Sequence, residues 1–217
     1  MDLIFSSSDE MLRLVTQLLD SSALESGKFE LNMRPVDLGT LAQLVVHKSQ
    51  KQAELKQQVI HISQVGEGKS IVMADFDRLQ EALDNLVNNA VKYSDKGREI
   101  WVKVENETDK VRFEVSDNGP GISDDELPKV FDKFQKLSNQ PTGGESSTGL
   151  GLSIVKQIVE MHNGMVWVES EVGVGSAFVV QLDAAAGKAG ESDFQDRPAL
   201  SSSRRPSGNA DSIESPS

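Results

Sequence analysis

Three side chains on one stretch of this chain could hold a polar ligand. In Asn85-Leu86-Val87-Asn88-Asn89-Ala90-Val91-Lys92-Tyr93-Ser94, the residues Asn85, Asn89 and Lys92 stand at i, i+4 and i+7. On a helix that spacing brings them to one face. Leu83, Leu86, Val87, Ala90 and Val91 supply an apolar remainder fit to pack on a sheet. Two amide oxygens suit a hard cation such as Mg2+, and a lysine suits phosphate. Taken alone, an ordinary half-solvated helix explains the pattern equally well.

Three glycine turns downstream favour the binding reading. Val115-Ser116-Asp117-Asn118-Gly119-Pro120-Gly121-Ile122 follows a strand-like run. A carboxylate at Asp117 can accept a hydrogen bond from an exocyclic amine, and Gly119 and Gly121 let a flat ring approach the backbone. The plain alternative is an Asx turn. Thr148-Gly149-Leu150-Gly151-Leu152 opens an apolar helix, whose free N–H groups and dipole favour phosphate oxygens. Gly173-Val174-Gly175-Ser176 joins two further strand-like runs, and Phe131 and Phe134 lie between the Asp and Thr-Gly motifs.

The order Asn helix, Asp-x-Gly-x-Gly, Phe-x-x-Phe, Gly-x-Gly resembles the catalytic ATP-binding domain of the sensor histidine kinases of two-component systems. That domain belongs to a superfamily shared with Hsp90, DNA gyrase B and MutL. The resemblance covers residues 36 to 183, with a weaker one back to the N-terminus. It implies ATP and Mg2+ as cofactors. Asp117 would read the adenine N6 amine, Asn89 would bind Mg2+, Lys92 would face the phosphates and Tyr93 would lie near the nucleotide. The stretch Thr148, Gly149, Leu150, Gly151 and Leu152 would serve the phosphates. Gln135 to Thr148, with Pro141, Gly143, Gly144 and several Ser/Thr, looks like the family's ATP lid, with Phe131 and Phe134 at its base. Lys133 or Lys136 could reach the γ-phosphate; Lys136 joins Asn85 and Lys92 as the expected catalytic set. The resemblance also implies a response regulator receiver domain as partner, and a homodimer through the N-terminal helix in the full-length kinase.

Other kinase types are excluded by motif. There is no Gly-x-x-x-x-Gly-Lys-[Ser/Thr] loop, and no His-Arg-Asp or Asp-Phe-Gly. In the ATP-hydrolysing members of the superfamily a glutamate precedes the metal asparagine by four residues. Here that place holds Asn85, and an amide is no general base. Phosphoryl transfer is therefore expected rather than ATPase turnover. The family's acceptor histidine, followed by an acidic residue, is absent: His47, His61 and His162 are followed by Lys48, Ile62 and Asn163. Two further readings stay open, a nucleotide-binding regulatory module without transferase activity and an anti-sigma-type serine kinase.

The elements that must position these residues follow from periodicity. Met11, Leu14, Val15, Leu18 and Leu19 predict a long helix over 3–25, ended by Ser26-Gly27. It resembles the second helix of the kinase dimerisation hairpin, so the chain is expected to begin in the middle of a kinase. A short strand is expected over 28–33, broken by Pro35. Helices are expected over 38–57, capped by Asp37, and over 77–93, with a short one over 124–130 and another over 150–161. Strands are expected at 59–62, 71–73, 100–104, 111–115, 166–168 and 177–182. The expected fold is α/β, a two-layer sandwich of a mixed sheet of about five strands with three longer helices, preceded by a long helix. The expected domains are 1–35, a partial dimerisation helix and linker; 36–183, the catalytic ATP-binding domain; and 184–217, a polar disordered tail.

Composition sets the outer bounds. The 217 residues carry a net charge of −12, which disfavours nucleic acid or an anionic membrane as partner. A triphosphate must then be met by local groups. With no cysteine there is no disulfide or thiolate chemistry. No apolar run approaches the roughly 18 residues of a membrane span. A cytoplasmic protein or fragment is expected.

Overall fold

The structure is a computed structural model, and it describes residues 30–143, 145 and 147–185. The expected helix at 3–25 and the tail beyond Ala185 lie outside the described residues.

Strand β1 (Met33–Asp37) leads into helix α1 (Leu38–Leu55), whose first turn is capped by the Asp37 carboxylate accepting from Gly39 N–H at 3.0 Å. Strands β2 (Val59–Val65) and β3 (Ile71–Asp75) precede helix α2 (Phe76–Tyr93), the asparagine-bearing helix. A hairpin of β4 (Glu99–Asn106) and β5 (Lys110–Asp117) follows, then helix α3 (Gly151–Met161) and the hairpin β6 (Met165–Glu171) and β7 (Gly175–Asp183). The main sheet has five strands in the order β2-β4-β5-β7-β6. β2 runs parallel to β4, and the other pairs are antiparallel. β1 and β3 form a separate two-stranded sheet.

Alternation decides the layers. Ile100, Val102 and Val104 of β4, Val111, Phe113 and Val115 of β5, and Phe178, Val180 and Leu182 of β7 turn to one face and are buried. They meet Leu79, Leu83, Leu86 and Val87 of α2, Leu41 and Val45 of α1, and Ile154 and Ile158 of α3 in one core. The other face carries Trp101, Lys103, Arg112, Glu114 and Trp167, with Trp101 stacked on His61 at 5.7 Å between ring centroids. The expected two-layer α/β sandwich with a mixed five-stranded sheet and three longer helices is therefore present.

Two expectations are corrected. The segment 124–130 holds only a single 3-10 turn, Leu127–Lys129, with Pro128 at its start. Proline lacks the N–H to continue an α-helix, and the Glu126 carboxylate is drawn to Ser138 instead. Among the described residues the first strand lies at 33–37 and runs through Pro35, opposite Met73; of the strand expected over 28–33, residues 30–32 are not in a strand, and 28 and 29 lie outside the described residues. A missing donor is tolerated in a two-stranded edge pair. At the far end, Ala184 and Ala185 still donate to Asp109 O and Ile71 O at 2.9 and 2.8 Å, extending the ordered bonding past β7.

Candidate nucleotide-binding site

Three chain ends converge. β5 delivers Asp117, α2 delivers Asn85 to Tyr93, and the N-terminus of α3 delivers Gly149 to Leu152. Between them lies a cavity of about 640 Å³. That is within the usual range for small-molecule sites. Asn85, Asn89, Lys92, Tyr93, Asp117, Gly121, Thr148, Gly149, Gly151 and Leu152 all line it.

Asp117 sits at the end of β5 beside Ser176 of β7. Its Oδ1 accepts from Gly119 N–H at 2.8 Å. Burial pushes its carboxyl up to about 6, although the N–H groups of Gly119 and Ser176 and the Ser94 hydroxyl work to hold it down. The Ser94 hydroxyl is fully buried and has no other partner among the described residues. A desolvated carboxylate beside an under-used hydroxyl suits a ligand bearing an exocyclic amine.

The glycines do their work by close packing. A Cβ at Gly121, whose φ is +72°, would stand 2.1 Å from Glu171 O. A Cβ at Gly149, with φ +70°, would stand 2.7 Å from the carbonyl carbon of Phe134. Only glycine fits either place. Gly149 thus seats the chain against the start of the lid and delivers Gly151 to the mouth of α3. A Cβ there would lie 3.5 Å from Asn85 Oδ1. No side chain caps the first turn of α3. Gly151 and Leu152 of that turn line the cavity, and an uncapped helix N-terminus there is a ready cradle for phosphate.

Asn85, Asn89 and Lys92 of α2 line the cavity as well. Helix α2 is held by Asp75, whose Oδ1 accepts from Asp77 and Arg78 N–H at 3.1 and 3.2 Å. Burial opposes the Asp75 charge, yet the N–H groups of Asn32, Arg78 and Asp77 hold the carboxyl below its ordinary value. Among the described residues no group of three His, Cys, Asp or Glu could hold a metal. Mg2+ does not need one: it usually keeps several waters and rests on one or two protein oxygens plus substrate phosphates. The Asn89 amide fits that role.

Several expected residues do not line the cavity. Phe131 packs edge-on against Phe178 at 6.3 Å, in the core under the site. Phe134 is 62% exposed, with φ +58°, so its backbone rather than its ring meets the glycine turn. Leu150 is buried in the core, Gly119 acts through the Asp117 bond, and Lys136 is exposed between Gln135 and Leu137, which do line the cavity.

The structure adds Gln52, Asn88, Asn139, Glu145, Ser176 and Phe178 to the walls. Asn88 had a signal as a neighbour of Asn89, Asn139 and Glu145 lie in the expected lid, and Ser176 ends the last glycine motif; Gln52 and Phe178 had none. The Asn88 Oδ1 accepts from Ser49 Oγ at 3.0 Å. The others come from segments far apart in the chain. The histidines do not line the cavity. His162 is buried, accepting from Asp75 N–H at Nε2 (2.9 Å), with Nδ1 2.7 Å from Ile158 O.

A two-layer sandwich with a cavity lined by a desolvated carboxylate, asparagines, a lysine and an open helix N-terminus defines a nucleotide-binding class. The profile of the histidine kinase-, DNA gyrase B- and HSP90-like ATPases matches residues 74–186, and the chain belongs to that family. It is 38% identical over 180 residues to the circadian input-output histidine kinase CikA of Synechococcus elongatus, covering 82% of this chain and 24% of that protein. It is 36% identical to the sensor histidine kinase YclK of Bacillus subtilis, covering 83% of this chain and 38% of YclK. The chain therefore spans about a quarter to two fifths of these relatives. Among solved structures, full-length ShkA in complex with AMPPNP superposes with a TM-score of 0.74 at 30% identity, covering 83% of this chain and 37% of that one. The catalytic domain of histidine kinase ThkA gives a TM-score of 0.62 at 25% identity, covering 71% of this chain and 99% of that one.

Proposed function

We propose that this segment is the catalytic, ATP-binding part of a two-component sensor histidine kinase. The observation that carries this reading is that one cavity is lined by two chemically distinct sets of groups. Asp117, with Gly121 and Ser176, receives the adenine. Asn85, Asn89, Lys92 and the N-terminus of α3 receive the triphosphate. Mg2+, held through Asn89, would neutralise phosphate charge as the leaving group departs.

A histidine ring nitrogen supplied from outside the described residues attacks the γ-phosphorus. The bond from that phosphorus to the bridging oxygen breaks, and ADP leaves with the electron pair. The site contributes orientation and charge neutralisation, and it contributes no nucleophile. In the whole kinase the phosphoryl group would pass to a response regulator receiver domain, and the N-terminal helix would pair two copies. The ThkA kinase has been solved in complex with the response regulator protein TrrA, which supports the first of these expectations.

The test is label transfer. The protein is incubated with γ-labelled ATP, Mg2+ and a histidine-bearing helical hairpin. Acid-labile label on the hairpin is expected, with none on His47, His61 or His162. Acid-stable label on serine, or no transfer at all, contradicts the proposal.

A further inference from the structure

Lys56 lies just past α1, outside every motif that the site uses. Its side chain is only 12% exposed. Its ammonium donates to Val91 O at 2.9 Å, Lys92 O at 3.1 Å and Thr142 Oγ1 at 3.0 Å, and pairs with Glu145 Oε1 at 2.8 Å. Two of these oxygens are the terminal carbonyls of α2, the helix that carries Asn85, Asn89 and Lys92. A cation there complements the negative end of the helix dipole. The other two belong to the lid.

The lid meets the body at the same point by further bonds. Thr142 N–H donates to Lys92 O at 3.0 Å, and Thr142 Oγ1 donates to Ser94 O at 2.7 Å. The Glu145 carboxylate accepts from Gly143 N–H at 2.9 Å and Gln52 Nε2 at 3.4 Å. Burial opposes the Glu145 charge, and the Lys56 ammonium holds its carboxyl below the ordinary range. Glu145 also lines the cavity. One partly buried cation thus joins the C-terminal end of the helix that carries Asn85, Asn89 and Lys92 to the middle of the lid.

We infer that Lys56 is the positioning residue of the lid. It docks Thr142 and Glu145 onto the C-terminal end of α2, so that the lid is held in a set position at the cavity without Lys56 touching the nucleotide. The inference rests on the nucleotide reading above and extends it to a residue that no nucleotide-binding motif contains. The cation also balances Glu145, a negative charge on the wall that would otherwise oppose a triphosphate.

The experiment compares Mg-ATP with adenosine, which has no phosphates. Affinities are measured by calorimetry on the whole chain, and amide hydrogen exchange of residues 142–145 is followed without ligand. For Lys56→Met, exchange at Thr142 and Gly143 is expected to quicken. Mg-ATP should bind on the order of tenfold more weakly, the loss of one charge-assisted contact. Adenosine affinity should not change. Thr142→Val leaves the Lys56 cap on α2 in place and should reproduce part of the effect, which covers the case where Lys56→Met folds poorly. Glu145→Gln placed on Lys56→Met should recover part of the Mg-ATP affinity by removing the unbalanced charge. Equal Mg-ATP affinity in wild type, Lys56→Met and Thr142→Val overturns the inference. So does an equal loss for adenosine and Mg-ATP, which would make Lys56 a general structural support. A wild-type protein that binds no Mg-ATP overturns the nucleotide reading itself, a result distinct from either.

Discussion

Asp117 is the residue on which the proposed recognition of adenine turns. Its folded carboxyl titrates near 6, above the ordinary 3.8, because it is buried. The folded state therefore holds the proton more tightly than the unfolded one. Stability is lost as pH rises through the window from 3.8 to about 6. The ionised form is the one that accepts from an amine. Adenosine binding should be flat above about pH 7 and weaken by about tenfold per unit well below the Asp117 value. Asp117→Asn should flatten the profile; calorimetry across that range checks both, and a flat wild-type profile contradicts the role. Asn85 carries the second prediction at this scale. It stands where hydrolysing relatives would need a base, and general-base assistance is typically worth about 10²–10⁴-fold. Phosphate release from ATP by the chain alone should stay near background. Vigorous turnover, abolished by Asn89→Ala, would place the chain among the hydrolysing members.

At the same scale the sequence was a good guide wherever a side chain acts through local spacing. Asn85, Asn89 and Lys92 line one cavity because they share a helix face, and Gly149 and Gly151 open a helix N-terminus because one lies just before it and the other begins it. Lys56 and Gln52 gave no such sign, and Glu145 was marked only by lying in the expected lid. Lys56 meets Thr142 across 86 positions and Gln52 meets Glu145 across 93. No periodicity links residues that only the folded sheet brings together. Phe134 shows the converse: its pairing with Phe131 in the sequence is not a pairing in space, since one ring is in the core and the other is exposed.

Among the elements, those with strong alternation or a clear cap were legible. Asp37 announced α1, and the β4–β5 hairpin followed from two alternating runs. The short helix expected before the lid was not there, because Pro128 and the capture of Glu126 by Ser138 limit it to a single 3-10 turn. His162 ends α3, as expected, but its burial depended on where β3 would lie. It joins the end of α3 to Asp75, the residue that caps α2, through two bonds inside the core. His162→Ala should leave Asp75 N–H unpaired and open a small void. A loss of about 2–4 kcal/mol is expected. Urea unfolding measures it, with nucleotide affinity of the folded protein unchanged. A loss within about 0.5 kcal/mol, the range of plain surface substitutions, would show that this joint is not structural.

Over the whole molecule, a net charge of −12 gives no general attraction for a triphosphate. In the proposed reading, affinity comes from the cavity itself: from the carboxylate and glycine turn at Asp117 to Gly121, and from the amides, lysine and helix N-terminus that also line it. Among the described residues no helix is long and apolar enough to cross a membrane. The most direct measurement is calorimetric titration of ATP, with and without Mg2+, into wild type, Asp117→Asn and Asn89→Ala. Wild type should bind ATP and bind it more tightly with Mg2+. Asp117→Asn should lose about 1.5–3 kcal/mol, or roughly tenfold to a hundredfold in affinity, whether or not Mg2+ is present. Asn89→Ala should lose mainly the Mg2+-dependent part. Equal affinity across all three proteins, or no dependence on Mg2+ in wild type, would contradict the assignment of the two sets of groups.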